Sequence, residues 1–270
     1  MELDTYELYA IKYATNPRKR RVEHFIRHDL HDGPSPMDFF VWVAVGAKRT
    51  VLIDLGGNEE NARKRGHDFL RCPTAGLKGL GVGPGDIQDV IVTHMHWDHA
   101  GNLEKFPKAR IHLQAKEMHF ATGPLMEKEF VRRSLAVEDV CGMVRRLYDG
   151  LLTYHDGESE LAPGIQLRHV GGHTLGLQIV RVHTRRGWVV LASDAAHYYE
   201  NMSAPNPFPV ILNVAENLLS FDIMRRWVST ANHIVPGHDP LVMRRYPVAS
   251  SALDGIAVRL DVDPNEVGDL

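Results

Sequence analysis

The sequence predicts an α/β fold built as one domain over residues 1–270, on three observations. Apolar strand-like segments outnumber helical ones. Both kinds recur along the whole chain instead of separating into blocks. No low-complexity linker divides it. With 270 residues and 44% hydrophobic side chains the chain is long enough to bury a sizeable core without disulfides.

Taken in order, Glu7–Ala14 alternates apolar and polar residues and predicts a half-buried strand. The basic run Arg18–Arg21 reads as a solvated loop, because acidic neighbours cancel its charge. Residues 1–38 thus form an N-terminal strand and an extended loop. Phe39–Ala47 and Thr50–Asp54 read as two buried strands around a turn at Lys48-Arg49, and Asn58–Leu70 as a short charged helix. Asp89–Thr93 is a β-branched strand running straight into His94; Arg110–Gln114 is another strand, after a helical signal near Gly101–Lys105. Ala115–Leu151 is helical in character and broken at Gly123-Pro124. Ile165–Val170, Leu177–Thr184 and Trp188–Ser193 are strands, Ala215–Thr230 a helix, and Ile234-Val235 a short strand closing on Pro236-Gly237-His238.

Composition excludes several classes. A formal net charge of -3 argues against a nucleic-acid or anionic-membrane partner. No apolar run approaches the ~20 residues of a membrane span, and Met1–Tyr9, with its early acids, does not read as a signal peptide. Two cysteines, Cys72 and Cys141, suit a reducing compartment, so the expected location is the cytoplasm. A small-molecule substrate is the expected partner. The chain is expected as a monomer or homodimer, with the N-terminal segment a candidate dimer arm.

Sixteen histidines stand out. His94-Met95-His96-Trp97-Asp98-His99 gathers four metal-competent side chains just after a strand, where α/β folds place their sites. Imidazole and carboxylate suit zinc and neighbouring divalent ions. His94 and His96, two apart on extended backbone, point the same way, whereas Asp98 and His99 lie on the following bend and face a second point. That divergence calls for two metals.

The pattern resembles the HxHxDH motif of the metallo-β-lactamase superfamily. Further motifs follow in that family's order: Gly172-His173-Thr174-Leu175-Gly176, Ser193-Asp194-Ala195 at a strand end, Pro236-Gly237-His238, and, before them, the strand-and-turn Val51–Gly56. The resemblance implies a four-layer αββα sandwich with a dinuclear site at the strand ends. It implies His94, His96 and His173 on one metal, Asp98, His99 and His238 on the other, Asp194 bridging them, and Asp54 orienting the loop through hydrogen bonds. The expected cofactors are two divalent ions, zinc first, with Fe, Mn or Co as alternatives.

Within the superfamily the chain is most similar to the N-acyl-homoserine lactonases. The segments before Phe39 and after Asp194 resemble theirs, and the short stretch after His238 sets it apart from glyoxalase II. The resemblance implies quorum-quenching opening of a lactone ring by a metal-bridging hydroxide; the alternative is another lactone, an ester or thioester, or weak β-lactamase activity. One position departs. Where that family carries a tyrosine, three residues after the bridging aspartate, this chain has His197, followed by Tyr198. Asp98, His197 and Tyr198 are the expected catalytic residues, with His197 or Tyr198 as the oxyanion donor. Trp97, Met126, Phe130, Met202, Phe208 and Ile211 are candidate pocket residues. His169 is a candidate support for the site, and His24, His28, His31, His67, His112, His119, His155, His183 and His233 read as structural or solvated.

Overall fold

The computed structural model describes residues 3–265. The strands are β1 (Glu7–Asn16), β2 (Met37–Val45), β3 (Thr50–Ile53), β4 (Asp68–Phe69), β5 (Ile87–Ile91), β6 (Arg110–Gln114), β7 (Leu152–His155), β8 (Glu158–Ala162), β9 (Ile165–His169), β10 (Gln178–Thr184), β11 (Gly187–Ser193), β12 (Ile234–Pro236) and β13 (Ala257–Arg259). The helices are α1 (Glu59–Lys64), α2 (Pro73–Gly79), α3 (Ala115–Ala121), α4 (Glu129–Arg132), α5 (Val137–Tyr148), α6 (Tyr199–Ser203), α7 (Val214–Trp227) and α8 (Leu241–Arg245).

One sheet runs β13-β1-β2-β3-β5-β6-β7, with β4 paired to β1; the other runs β12-β11-β10-β9-β8. Strand alternation sorts the side chains into three cores. Leu8, Ala10, Phe40, Trp42 and Ala44 of the first sheet meet Leu167, Val180, Val189 and Leu191 of the second between the sheets. Tyr9, Ile11, Phe39, Val41 and Val43 point the other way, toward Leu77, Met118, Phe120 and Met143 of the helices. The outer face of the second sheet buries Ile179, Val190 and Ala192 under Phe221, Met224 and Trp227 of α7. The result is helix, sheet, sheet, helix. β1 is therefore covered on both faces, not half-buried as its alternation suggested; Tyr9 and Tyr13 supply apolar bodies on the helix side.

Local chemistry explains where the elements differ from expectation. The helix expected over Asn58–Leu70 starts at the Asn58 cap, whose side chain accepts from the Asn61 N–H at 2.8 Å, but it stops at Lys64. Gly66, at φ 75°, turns the chain into β4. α2, β7, β8, α8 and β13 escaped the sequence reading because they are short or, as in Glu158–Ala162, largely polar.

β3, β5 and β6 are mutually parallel, as are β11 and β12. Their carboxyl ends therefore deliver Asp54, the 93–99 loop, Asp194 and His238 to one edge of the sandwich. Among the described residues no helix is long and apolar enough to cross a membrane.

Candidate metal centre

All seven residues expected as ligands meet at this edge, and all are buried. Among the described residues four triplets have side-chain ligand atoms within 4.8 Å of one another: His94, His96 and His173; Asp98, His99 and His238; His94, His99 and Asp194; and His173, Asp194 and His197. Asp194 joins the halves. Its Oδ1 lies 3.0 Å from His238 Nε2 and 3.2 Å from His99 Nε2, while Oδ2 lies 3.2 Å from His173 Nε2.

The imidazoles are aimed by partners behind them. His99 Nδ1 donates to Asp54 Oδ2 at 2.7 Å, His238 Nδ1 to the Asp38 carbonyl at 2.8 Å and His173 Nδ1 to the Val210 carbonyl at 2.5 Å. Each ring therefore turns the lone pair of Nε2 toward the centre. Thr93 donates its hydroxyl to Asp54 Oδ2 at 2.8 Å and its N–H to Oδ1 at 2.7 Å. Asp54, itself at φ 61°, thus ties the metal loop to β3.

The donor set fits divalent cations. His173 Nε2 lies 2.8 Å from His96 Nδ1 and 3.2 Å from His94 Nε2, so three ring nitrogens converge on one point, the arrangement a shared cation requires. Among the described residues His99 Nε2 is buried without a hydrogen bond of good geometry, although Asp194 Oδ1 stands 3.2 Å away. Burial opposes ionisation of Asp194, yet His238, His99, His197 and His173 hold it well below the usual carboxylate range. Burial likewise opposes charge on His99, but Asp194, Asp98 and Asp54 push it well up. Buried carboxylates surrounded by imidazole nitrogens are a site made for positive charge, and with its histidine and aspartate donors the cluster suits a dinuclear metal centre.

One supporting residue escaped the sequence reading. Glu117, fully buried on α3, accepts from the Met95 N–H at 2.8 Å with one oxygen. Its other oxygen accepts from the Thr174 hydroxyl at 2.7 Å and the Gly176 N–H at 2.9 Å. A single carboxylate thereby clamps the His94–His99 loop to the loop of His173. Gly176 is required there: a Cβ would stand 2.1 Å from the Glu117 nitrogen. His169 Nε2 donates to the Leu175 carbonyl at 2.8 Å and braces the same loop.

The two candidate donors separate. His197 lies at the cluster, Nε2 2.9 Å from Asp194 Oδ2, with burial lowering its pKa to about 3 against the pull of Asp194. Tyr198 is not brought to the cluster. Its hydroxyl donates to the Pro36 carbonyl at 2.7 Å and lies 3.1 Å from His24 Nε2, on the N-terminal segment.

A cleft of about 140 Å³ opens over the centre, walled by Trp97, Phe39, His67, Phe208, His24 and Lys19 among others. Phe130 and Ile211 line a smaller apolar pocket beside His96 and His173. Met202 and Met126 are instead packed with the hydrophobic cores. His24 and His67, read from sequence as structural or solvated, are cleft residues. Each acts singly over long sequence separations, so no spacing marked them.

A model of the metallo-beta-lactamase superfamily matches residues 39–259, and the match takes in every residue of the cluster. The chain belongs to that superfamily. Among superfamily relatives, it is 33% identical over 181 residues to the N-acyl homoserine lactonase AiiB of Agrobacterium fabrum, covering 58% of this chain and 62% of AiiB. To AttM, an N-acyl homoserine lactonase of Azorhizobium caulinodans, it is 29% identical over 229 residues, 76% of this chain and 82% of AttM. The aligned stretch is thus under two thirds of AiiB's length. The superfamily sandwich also superposes on solved structures. A quorum-quenching N-acyl homoserine lactone lactonase gives a TM-score of 0.72 at 22% identity, covering 89% of this chain and 95% of that one. AidC, a dizinc quorum-quenching lactonase, gives 0.70 at 15% identity, covering 89% and 90%. At these identities the likeness is one of fold.

Proposed function

We propose that this protein is a dinuclear metal-dependent hydrolase that opens a lactone ring, with N-acyl-homoserine lactones as the first substrates and quorum quenching as the consequence. The observation that carries the reading is Asp194, whose two oxygens face different histidine sets at the floor of an open cleft. The similarity to AiiB and AttM supports the substrate class.

His94, His96 and His173 would hold one ion, Asp98, His99 and His238 the other, with Asp194 shared between them. Bound divalent ions supply an acidified water as nucleophile and Lewis-acid polarisation of the ester carbonyl. The chain's own groups do the rest. Asp54, Thr93 and the carbonyls of Asp38 and Val210 fix the imidazoles, so little reorganisation accompanies the reaction. Asp98 lines the cleft; burial opposes its charge, but His99 and His238 hold the carboxyl ionised. It is placed to pass the proton lost by water to the leaving alkoxide. His197, not Tyr198, is the side chain at the reacting face.

Zinc is the ion of choice for a histidine-rich set with aspartates, and the free Cys72 and Cys141 favour a reducing cytoplasm. The cleft volume of about 140 Å³ is below the roughly 300–1,000 Å³ of sites for drug-sized ligands. That favours short acyl chains, or a small catabolic lactone as the second reading.

The test is a panel run on metal-loaded protein: acyl-homoserine lactones of several lengths, simple γ- and δ-lactones, aryl esters, S-lactoylglutathione and a penicillin. Turnover of lactones is expected. Turnover confined to the thioester or the penicillin overturns the reading.

A further inference from the structure

His67 lies on the short connection between α1 and β4, outside every motif of the metal loops. Its ring stacks on Trp97, 4° from parallel with centroids 5.3 Å apart, and packs against Phe39 at 4.8 Å. Trp97 is itself held in place: Gly57 presses so close that a Cβ there would meet the indole at 2.5 Å, and the Arg65 guanidinium sits over the ring at 5.2 Å. The imidazole therefore has a fixed plane beside Asp98, the neighbour of Trp97.

Its tautomer is fixed as well. Asn16 Oδ1 accepts from the Arg18 N–H at 3.0 Å, which sets the orientation of the Asn16 amide. The Asn16 NH2 then faces His67 Nδ1 at 3.0 Å, and a donor facing that nitrogen requires Nδ1 to be the acceptor. The ring proton resides on Nε2. Among the described residues no protein atom accepts from Nε2, nor is it a buried orphan, and the residue lines the cleft together with Asp98 and His238. Burial lowers the ring's pKa to about 4, so at neutral pH it is an uncharged donor.

We infer that His67 is a substrate-binding residue, an imidazole whose Nε2–H donates to an acyl oxygen of the substrate on the Asp98–His238 side of the cleft. The inference rests on the hydrolase reading only in taking the substrate for an acyl compound. A planar neutral donor on a rigid aromatic platform selects a carbonyl or carboxylate oxygen and disfavours a cationic group.

The experiment compares wild type with His67→Phe, which retains a ring on Trp97 but has no donor, and with His67→Gln, which restores an N–H. Metal content and Tm are measured for each. Three readouts follow: kcat/KM on whichever ester the wild type hydrolyses, affinity for ring-opened N-hexanoyl-homoserine by calorimetry, and the ¹⁵N ring signals of His67 with and without that compound. Expected are a loss of roughly 10- to 100-fold in kcat/KM for His67→Phe, weaker binding of the ring-opened compound, partial recovery in His67→Gln, and unchanged metal content. The wild-type ring should show protonated Nε2 and move on ligand addition.

Equal affinities in wild type and His67→Phe, with an unmoved ring signal, overturn the assignment whatever lactones the enzyme opens. A wild type that opens no lactone but cleaves another ester removes the lactone reading instead. The His67 comparison is then scored on that ester.

Discussion

The imidazole of His197 lies flat on the ring of Phe208, centroids 3.4 Å apart and 10° from parallel. The stack fixes the plane of the ring with Nε2 against Asp194 Oδ2 at 2.9 Å. His197→Ala is therefore expected to lower kcat by about 10- to 100-fold, and Phe208→Ala to give a smaller loss by freeing the ring. Tyr198→Phe should keep kcat near wild type while lowering stability by about 1 kcal/mol through the lost bond to Pro36. Steady-state kinetics and thermal melts separate these outcomes; a Tyr198→Phe enzyme with strongly reduced kcat refutes the assignment.

Asp194→Asn should abolish turnover and reduce bound metal from two ions per chain toward one, since the amide offers one neutral oxygen where two charged ones stood. Elemental analysis after dialysis reads the stoichiometry. Full activity in this variant, or in His96→Ala, would sink the ligand assignment.

Glu117 touches no ligand side chain, yet it links both ligand loops. In Glu117→Gln one acceptor becomes a donor facing the Thr174 hydroxyl or the Met95 N–H. Metal affinity is expected to fall by roughly 10- to 100-fold, with kcat largely recovered at saturating metal. Chelator competition measures the first, and kinetics in excess metal the second.

Asp139, near the start of α5, is pushed up to about 6 by burial, and among the described residues its Oδ2 has no hydrogen-bond partner. Its unfolded value is about 3.9. Below about pH 4 both states hold the proton and the group costs nothing. As pH rises through 6 the folded chain must ionise a buried acid, so stability is lost across that window and stays lower above it. Asp139→Asn should therefore be more stable than wild type by about 1–2 kcal/mol at pH 8, with little difference at pH 4. Denaturation at both pH values is the check; a benefit of equal size at both contradicts it.

The metal cluster was legible because its ligands sit in short motifs at strand ends, where backbone geometry alone decides direction: His94 and His96 on extended chain, Asp194 just after β11. The order of strands could not be read, since β1 pairs with both β2 and β13, nearly the full chain apart. Glu117 and His67 were illegible for a related reason. Each acts through a tertiary approach, Glu117 to Gly176 and His67 to Trp97, that leaves no periodicity in the sequence. His197 and Tyr198 stood as alternatives because the bend between β11 and α6 has no periodicity to say which faces the cluster: His197 turns inward and Tyr198 toward His24.

The superfamily match begins at residue 39, but part of the cleft wall comes from before it: Lys19, Glu23, His24 and Met37. That segment is fastened to the stretch after Asp194 through Arg21 with Glu200, Asn201 with the His24 carbonyl at 3.0 Å, and the Ile26 N–H with the Pro207 carbonyl at 2.7 Å. Part of the entrance is thus contributed by a stretch of the chain that carries none of the seven cluster residues. That stretch can vary at the cleft mouth, at Lys19, Glu23 and His24, while its two anchors to the cluster, the Asp38 carbonyl under His238 and the Tyr13 hydroxyl on the Asp98 carbonyl, stay as they are.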